Sequence, residues 1–145
     1  METFSHREGR LYINFTEMTF EEFKEYCLTK KGVEDTYPFK GEAVWMKVMG
    51  KMFAMTFVRE FKYNGAMAAP FTFINLKCDP DKAISLRESY SAIQPGWHQS
   101  KKHWNSVFID GSLPDSTIKE LIDHSYEIVV DGLSKKLKEE LASLN

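Results

Sequence analysis

The order of apolar and polar positions divides the chain into helical and extended stretches. From Thr19, the run TFEEFKEYC places Phe20, Phe23 and Cys27 at helical spacing with polar residues between them. Thr19 followed by Glu22 has capping-box spacing, so a helix is predicted over about 19–29, ending before Gly32. The next run, AVWMKVMGKMFAMTFV, is dense in aliphatic and aromatic residues. Because glycine tolerates positive φ, it predicts a hairpin of strands at 43–49 and 51–58 turning on Gly50-Lys51. FTFINLK predicts a strand at 71–77, and Asn64-Gly65 in the excursion before it has the composition of a second tight turn.

Asp79-Pro80 reads as a helix entrance, since the carboxylate accepts from orphan amides and proline pre-sets φ where its missing donor costs little. That helix carries Ala83, Leu86 and Tyr90 on its apolar side and ends before Pro95. SVFID then predicts a short strand, and Ser112 with Asp115 supplies the start of a helix buried through Ile118, Leu121, Ile122 and Val129. After Gly132 a terminal helix follows with Leu137, Leu141 and Leu144 on one stripe. Before all of these, RLYINF at 10–15 predicts a strand within an N-terminal extension, residues 1–18, that precedes a single domain of residues 19–145.

Hairpin connections favour antiparallel pairing, and the helices each have one apolar face. The expected fold is therefore α+β: a two-layer domain with an antiparallel sheet flanked by helices, one sheet face covered and the other left available. With 145 residues and 43% hydrophobic content, the chain can build one core but not two. A formal charge of −2 excludes the global basicity of a nonspecific nucleic-acid coater but permits a local basic patch. Two cysteines outside any CxxC pair and no apolar run of membrane-spanning length give the expectation of a reduced, cytoplasmic protein without a membrane partner.

Five ordered blocks carry a resemblance: KGVEDTYPF at 31–39, GKMFAMT at 50–56, INLKCDPDKAISLRE at 74–88, PGWHQSKKHWNSVFIDGSLPD at 95–115 and ELIDHSYEIVVDGLSKKLKEE at 120–140. Together, over about residues 19–141, the chain resembles the bacterial MmcQ/YjbR family, also called double-wing DNA-binding proteins. The resemblance implies a two-layer α+β fold related to secretion-chaperone-like and frataxin-like proteins. Its most distinctive blocks single out Pro95, Gly96, His98, Lys101, Lys102, His103, Trp104 and Asn105, with Asn75, Lys77, Cys78, Asp79 and Pro80. The segment between Phe57 and Pro70, and the extension before Met18, depart from the compact family pattern.

Chemically, the stretch IQPGWHQSKKHWN suits nucleic-acid contact: Lys101, Lys102 and Lys77 neutralise phosphates, His98 and His103 donate, Asn105 lies within the same block, and Trp97 or Trp104 stacks on a base. The expected function is thus nucleic-acid binding through a local basic patch, DNA ahead of RNA, with Lys47 and Lys51 extending the patch where the hairpin shares its edge. The competing reading is a structural or protein-interaction module in which Trp104 and His103 fix a turn and the lysines are solvated. Catalysis is the weaker reading: His98 and His103 offer acid–base groups and Cys78 or Ser100 a nucleophile, but no carboxylate is identifiable as their orienting partner. No cofactor motif is present, and His98, His103, Cys78, Asp79 and His124 lack metal-ligand spacing, so neither a cofactor nor a metal is expected. His6 and His124 read as solvent-facing or locally hydrogen-bonded.

Overall fold

The computed structural model describes the backbone of residues 2–7, 10–15 and 17–145 and the side chains of residues 17–145. RLYINF is a strand: β1 (Glu2–Arg7) and β2 (Arg10–Phe15) pair antiparallel. His6 lies in β1, its side chain outside the described residues.

Local chemistry sets the first helix. In α1 (Phe20–Leu28) the Glu22 amide donates to Thr19 Oγ1 at 3.1 Å and the Thr19 amide to Glu22 Oε1 at 3.0 Å, closing the capping box. An edge strand β3 (Val33–Thr36) follows, and then α2 (Pro38–Gly41), whose central residues Phe39 and Lys40 are left-handed with φ of 54° and 56°. β4 (Ala43–Val48) and β5 (Lys51–Phe57) form the expected hairpin, but it turns on Met49 and Gly50, with φ of 50° and 82°. A two-residue turn with positive φ at both positions matches strand twist, and Val48 pairs with Lys51, so Lys51 belongs to the strand and not to the turn.

β6 (Phe61–Tyr63) and β7 (Ala66–Ala68) close on Asn64-Gly65 as the sequence predicts. Next come β8 (Phe73–Lys77), α3 (Pro80–Ser89), β9 (Ile93–Pro95), β10 (Trp104–Phe108), α4 (Asp115–Asp131) and α5 (Lys135–Ser143). Asp79 caps α3 by accepting from the Lys82 amide at 3.2 Å. Two expectations fail locally. Pro114 is the N-cap of α4, and Ser112 instead donates its amide and hydroxyl to Asp110, making a turn of its own. Tyr90 ends α3 and is 40% exposed, because the chain has left the helix before its ring can reach the core.

Six strands pair antiparallel in the order β3-β4-β5-β8-β10-β9, giving the two-layer α+β arrangement. Alternation sends Val44, Met46, Val48, Ile74, Leu76 and Val107 to the inner face, where Phe23 of α1 and Ile118, Leu121, Ile122 and Val129 of α4 complete the core. α1 and α4 are also tied by Asp123, which accepts from Lys30 Nζ at 2.5 Å and from the Tyr26 hydroxyl at 2.6 Å. Burial pushes the Asp123 carboxyl up, but these two bonds outweigh it and hold the group below the usual carboxylate range.

The other sheet face differs from expectation. It is not left open: the β6–β7 hairpin and the loop carrying Trp97 roof much of it. Phe57 stacks on Phe61 with centroids 4.2 Å apart, and Tyr63 meets Phe73 and Phe108 at 5.8 Å. Sequence alternation gives the exposed face of a strand but cannot show what folds back over it.

A candidate ligand cleft on the outer face

Where the roof stops, a cleft of about 360 Å³ opens between Phe39, Trp45, Met55, Phe57, Trp97, His98 and Gln99. Its floor follows from register. Trp45 pairs with Met55, Met55 with Asn75, Asn75 with Ser106 and Ser106 with Gln94, so these residues form one cross-strand row on the outer face. Phe39 meets Trp45 edge-on at 5.9 Å and is 59% exposed at the rim. Trp97 forms the opposite wall, packed against Phe57, Phe61, Tyr63 and Phe73 at 5.5–5.8 Å.

Three of the six described non-glycine residues with positive φ lie at or beside the cleft. Phe39, Lys40 and His98 all have left-handed φ, 54–56°, and none is glycine. Such a conformation costs a residue with a Cβ about 1–2 kcal/mol and persists only where its surroundings impose it. The left-handed turn presents Phe39 over Trp45, and the left-handed His98 brings its ring to 4.0 Å from that of Trp97.

Among the described residues no carboxylate lines the cleft, and cations occur on residues next to its lining. Lys47 Nζ stands 5.4 Å from the centroid of Trp45, although Glu34 pairs opposite Lys47 across the sheet. Lys101 Nζ donates to the Gly96 carbonyl at 2.9 Å, next to Trp97, and Lys102 and His103 are exposed in the turn before β10. The structure thus brings His98, Lys101, Lys102 and His103 into one loop. Lys77 and Lys51 line a second groove with Met52 and Leu133, at the end of α4.

Trp104 and Asn105 are both buried and neither is free for a ligand. Trp104 is 8% exposed and Asn105 2%, and Asn105 Oδ1 accepts from Arg87 Nε at 2.6 Å. The same guanidinium donates to the carbonyls of Lys101 and Trp104, so Arg87 of α3 pins the basic turn to the strand. Nothing in the sequence around Arg87 signals this, because its partners lie 14–18 residues away. Phe39 and Trp45 likewise stand outside the set that the sequence singles out for ligand contact. A signal for Trp45 does exist: with its neighbours Val44 and Met46 assigned to the core by alternation, it has to face outward.

Other chemistry finds less support. Burial pushes the Cys27 thiol up to about 12 and Cys78 upward too, the opposite of an activated thiolate. His124 accepts from the Asp79 amide at 3.2 Å, and burial lowers its pKa. The space beside it, between α3, α4 and the sheet, has a volume of only about 10 Å³, enough for one water. Among the described residues no cluster of three metal-ligating side chains occurs, and no helix is long and apolar enough to cross a membrane.

Comparison with known proteins places the chain, by sequence and by fold, in a group. A family model described as YjbR matches residues 28–128. The chain is 36% identical over 127 residues to "Uncharacterized protein YjbR" of Escherichia coli K12, covering 88% of this chain and all of the relative. It is 35% identical to "Uncharacterized protein YbdF" of Escherichia coli O157:H7, covering 80% and 88% of the two chains. Among solved structures, Deinococcus radiodurans protein DR2400, with its DUF419 domain, superposes with a TM-score of 0.71 at 30% identity, over 86% of this chain and 88% of that one. A Pseudomonas syringae protein superposes at 0.63 with 23% identity, over 77% and 98%, which speaks to fold alone.

Proposed function

The chain belongs to the YjbR family, and from its outer-face cleft we propose that it binds single-stranded nucleic acid, with unpaired bases stacking on Trp45 and Trp97. One observation carries this reading: an open aromatic cleft without a carboxylate in its lining, with Lys47 beside Trp45 and with Lys101 and Lys102 in the loop that supplies Trp97, His98 and Gln99. A planar body with anionic links suits that combination, because every base has a face to stack and every phosphate a charge to neutralise. In duplex DNA the faces of the bases are already stacked on one another, so the cleft favours single strands. Phosphate contact by Lys47, Lys101, Lys102, His98 and His103 then supports the stacking. The Trp104 carbonyl and the Asn105 side chain hold the loop in place, and Lys77 lies apart from the cleft, with Lys51 in the second groove.

A second reading, docking of a protein partner, draws on Phe39 and on Met67 of the β6–β7 hairpin, 59% and 61% exposed. Fluorescence anisotropy with labelled single-stranded DNA, RNA and duplex DNA at two salt concentrations separates the two. Single strands are expected to bind with Kd of about 1–100 µM and a shallow salt slope, about −0.7 per phosphate contacted. W45A is expected to weaken binding about tenfold, within the range for one stacked base. Tighter binding of duplex, or no binding of any strand, overturns the reading and turns the search to protein partners.

A further inference from the structure

Asn75 is fully buried at the centre of β8, on the outer face and beneath the aromatic roof. An amide in such a place is tolerated only when its hydrogen bonds are met. Here they are met in a closed ring. Asn75 Oδ1 accepts from the Ser106 hydroxyl at 2.5 Å, Asn75 Nδ2 donates to the Trp97 carbonyl at 2.9 Å, and the Trp97 amide donates to Ser106 Oγ at 2.9 Å. Asn75 and Ser106 are register partners on adjacent strands, so the sheet itself sets the spacing between them.

Both backbone groups of Trp97 are therefore held by side chains, as a neighbouring strand would hold them with its backbone. Packing could not do this alone. The rings around Trp97 pack against part of its indole, but apolar contact is non-directional and permits sliding and tilting. Hydrogen bonds at both the amide and the carbonyl fix the plane and height of the peptide. The chain then reverses at once through left-handed His98, whose position depends on where Trp97 is fixed. The geometry points to Asn75 and Ser106 as positioning residues of the cleft, holding the Trp97–His98 wall in its binding geometry before a ligand arrives. The consequence for affinity rests on the single-strand reading above; the consequence for Trp97 itself does not.

Fluorotryptophan-labelled protein tests both parts, since its three tryptophans give three fluorine resonances. In S106A the Trp97 resonance is expected to move and broaden while that of Trp45 stays. Affinity for a single-stranded oligonucleotide is expected to fall at least about tenfold, and S106T, which keeps the hydroxyl, restores both. An unchanged Trp97 resonance in folded S106A, or S106T no better than S106A, overturns the inference. Should S106A not fold, amide exchange in the unaltered chain decides: Trp97 is expected to exchange at least about 100-fold more slowly than Lys102, and equal rates overturn the inference. Should the unaltered chain bind no strand, the single-strand reading falls and the fluorine measurement alone judges the positioning role.

Discussion

Ser125→Ala is expected to destabilise the fold by about 2–5 kcal/mol, a large effect for the loss of one oxygen atom. The reason lies at the bulge in β5. The register of β4 against β5 shifts between Met46 and Lys47, and the β5–β8 pairing ends at Ala54 opposite Leu76. Beyond that pair the strands do not bond to each other. Ser125 of α4 reaches in, accepting from the Lys77 amide at 2.8 Å and donating to the Phe53 carbonyl at 2.5 Å, and it is fully buried. Alanine fills nearly the same space but leaves both backbone groups unpaired away from water, and each such group costs about 1–3 kcal/mol. Urea unfolding measures the loss as a lower midpoint with an unchanged slope. A loss below about 1 kcal/mol would mean that the strands close on each other once the hydroxyl is gone.

Gly96→Ala is expected to cost about 2–3 kcal/mol by overpacking, and to take the cleft with it. The glycine is needed for proximity, not for a left-handed backbone. A Cβ at this position would lie 2.7 Å from Trp104 Cβ and 2.9 Å from Trp104 O, both fixed within β10. The Gly96 amide also donates to the Trp104 carbonyl at 2.9 Å, so moving the two apart breaks a bond of the loop. The displaced Gly96 would carry off the carbonyl that receives Lys101 Nζ, one residue before Trp97. Thermal unfolding is expected to show a drop of about 5–12 °C for a chain of this size, with weakened single-strand binding measured below the new midpoint. Wild-type affinity in folded G96A would separate the loop geometry from binding.

What can be read in the sequence is what local chemistry decides. Thr19 with Glu22, Asn64 with Gly65, and Asp79 with Pro80 each interact within a few residues, and each forms the element it predicts. VEDT, which is β3, stands outside the strands expected from the sequence, because an edge strand needs little apolar character once β4 offers it a partner. The hairpin turn lies one residue earlier than expected, since Met49 accepts positive φ when the ladder on both sides demands it. Trp97 and Trp104 look alike in sequence, each beside a histidine, yet their roles diverge. Trp104 sits in a central strand opposite Lys77, whereas Trp97 stands on a loop held by side chains from two strands. Asn75 and Ser106 lie 31 residues apart, so the sequence can single out the first but not join it to the second.

The left-handed rim residues set the cleft against the thermal stability of the chain. At Phe39, Lys40 and His98 the backbone adopts a conformation that glycine takes without penalty. Selection for melting temperature alone would accept glycine at these positions wherever relief of strain outweighs the packing each side chain supplies, and so would discard the ring at the rim and the imidazole beside Trp97. A lineage that keeps side chains there accepts a less stable fold in exchange for a shaped surface.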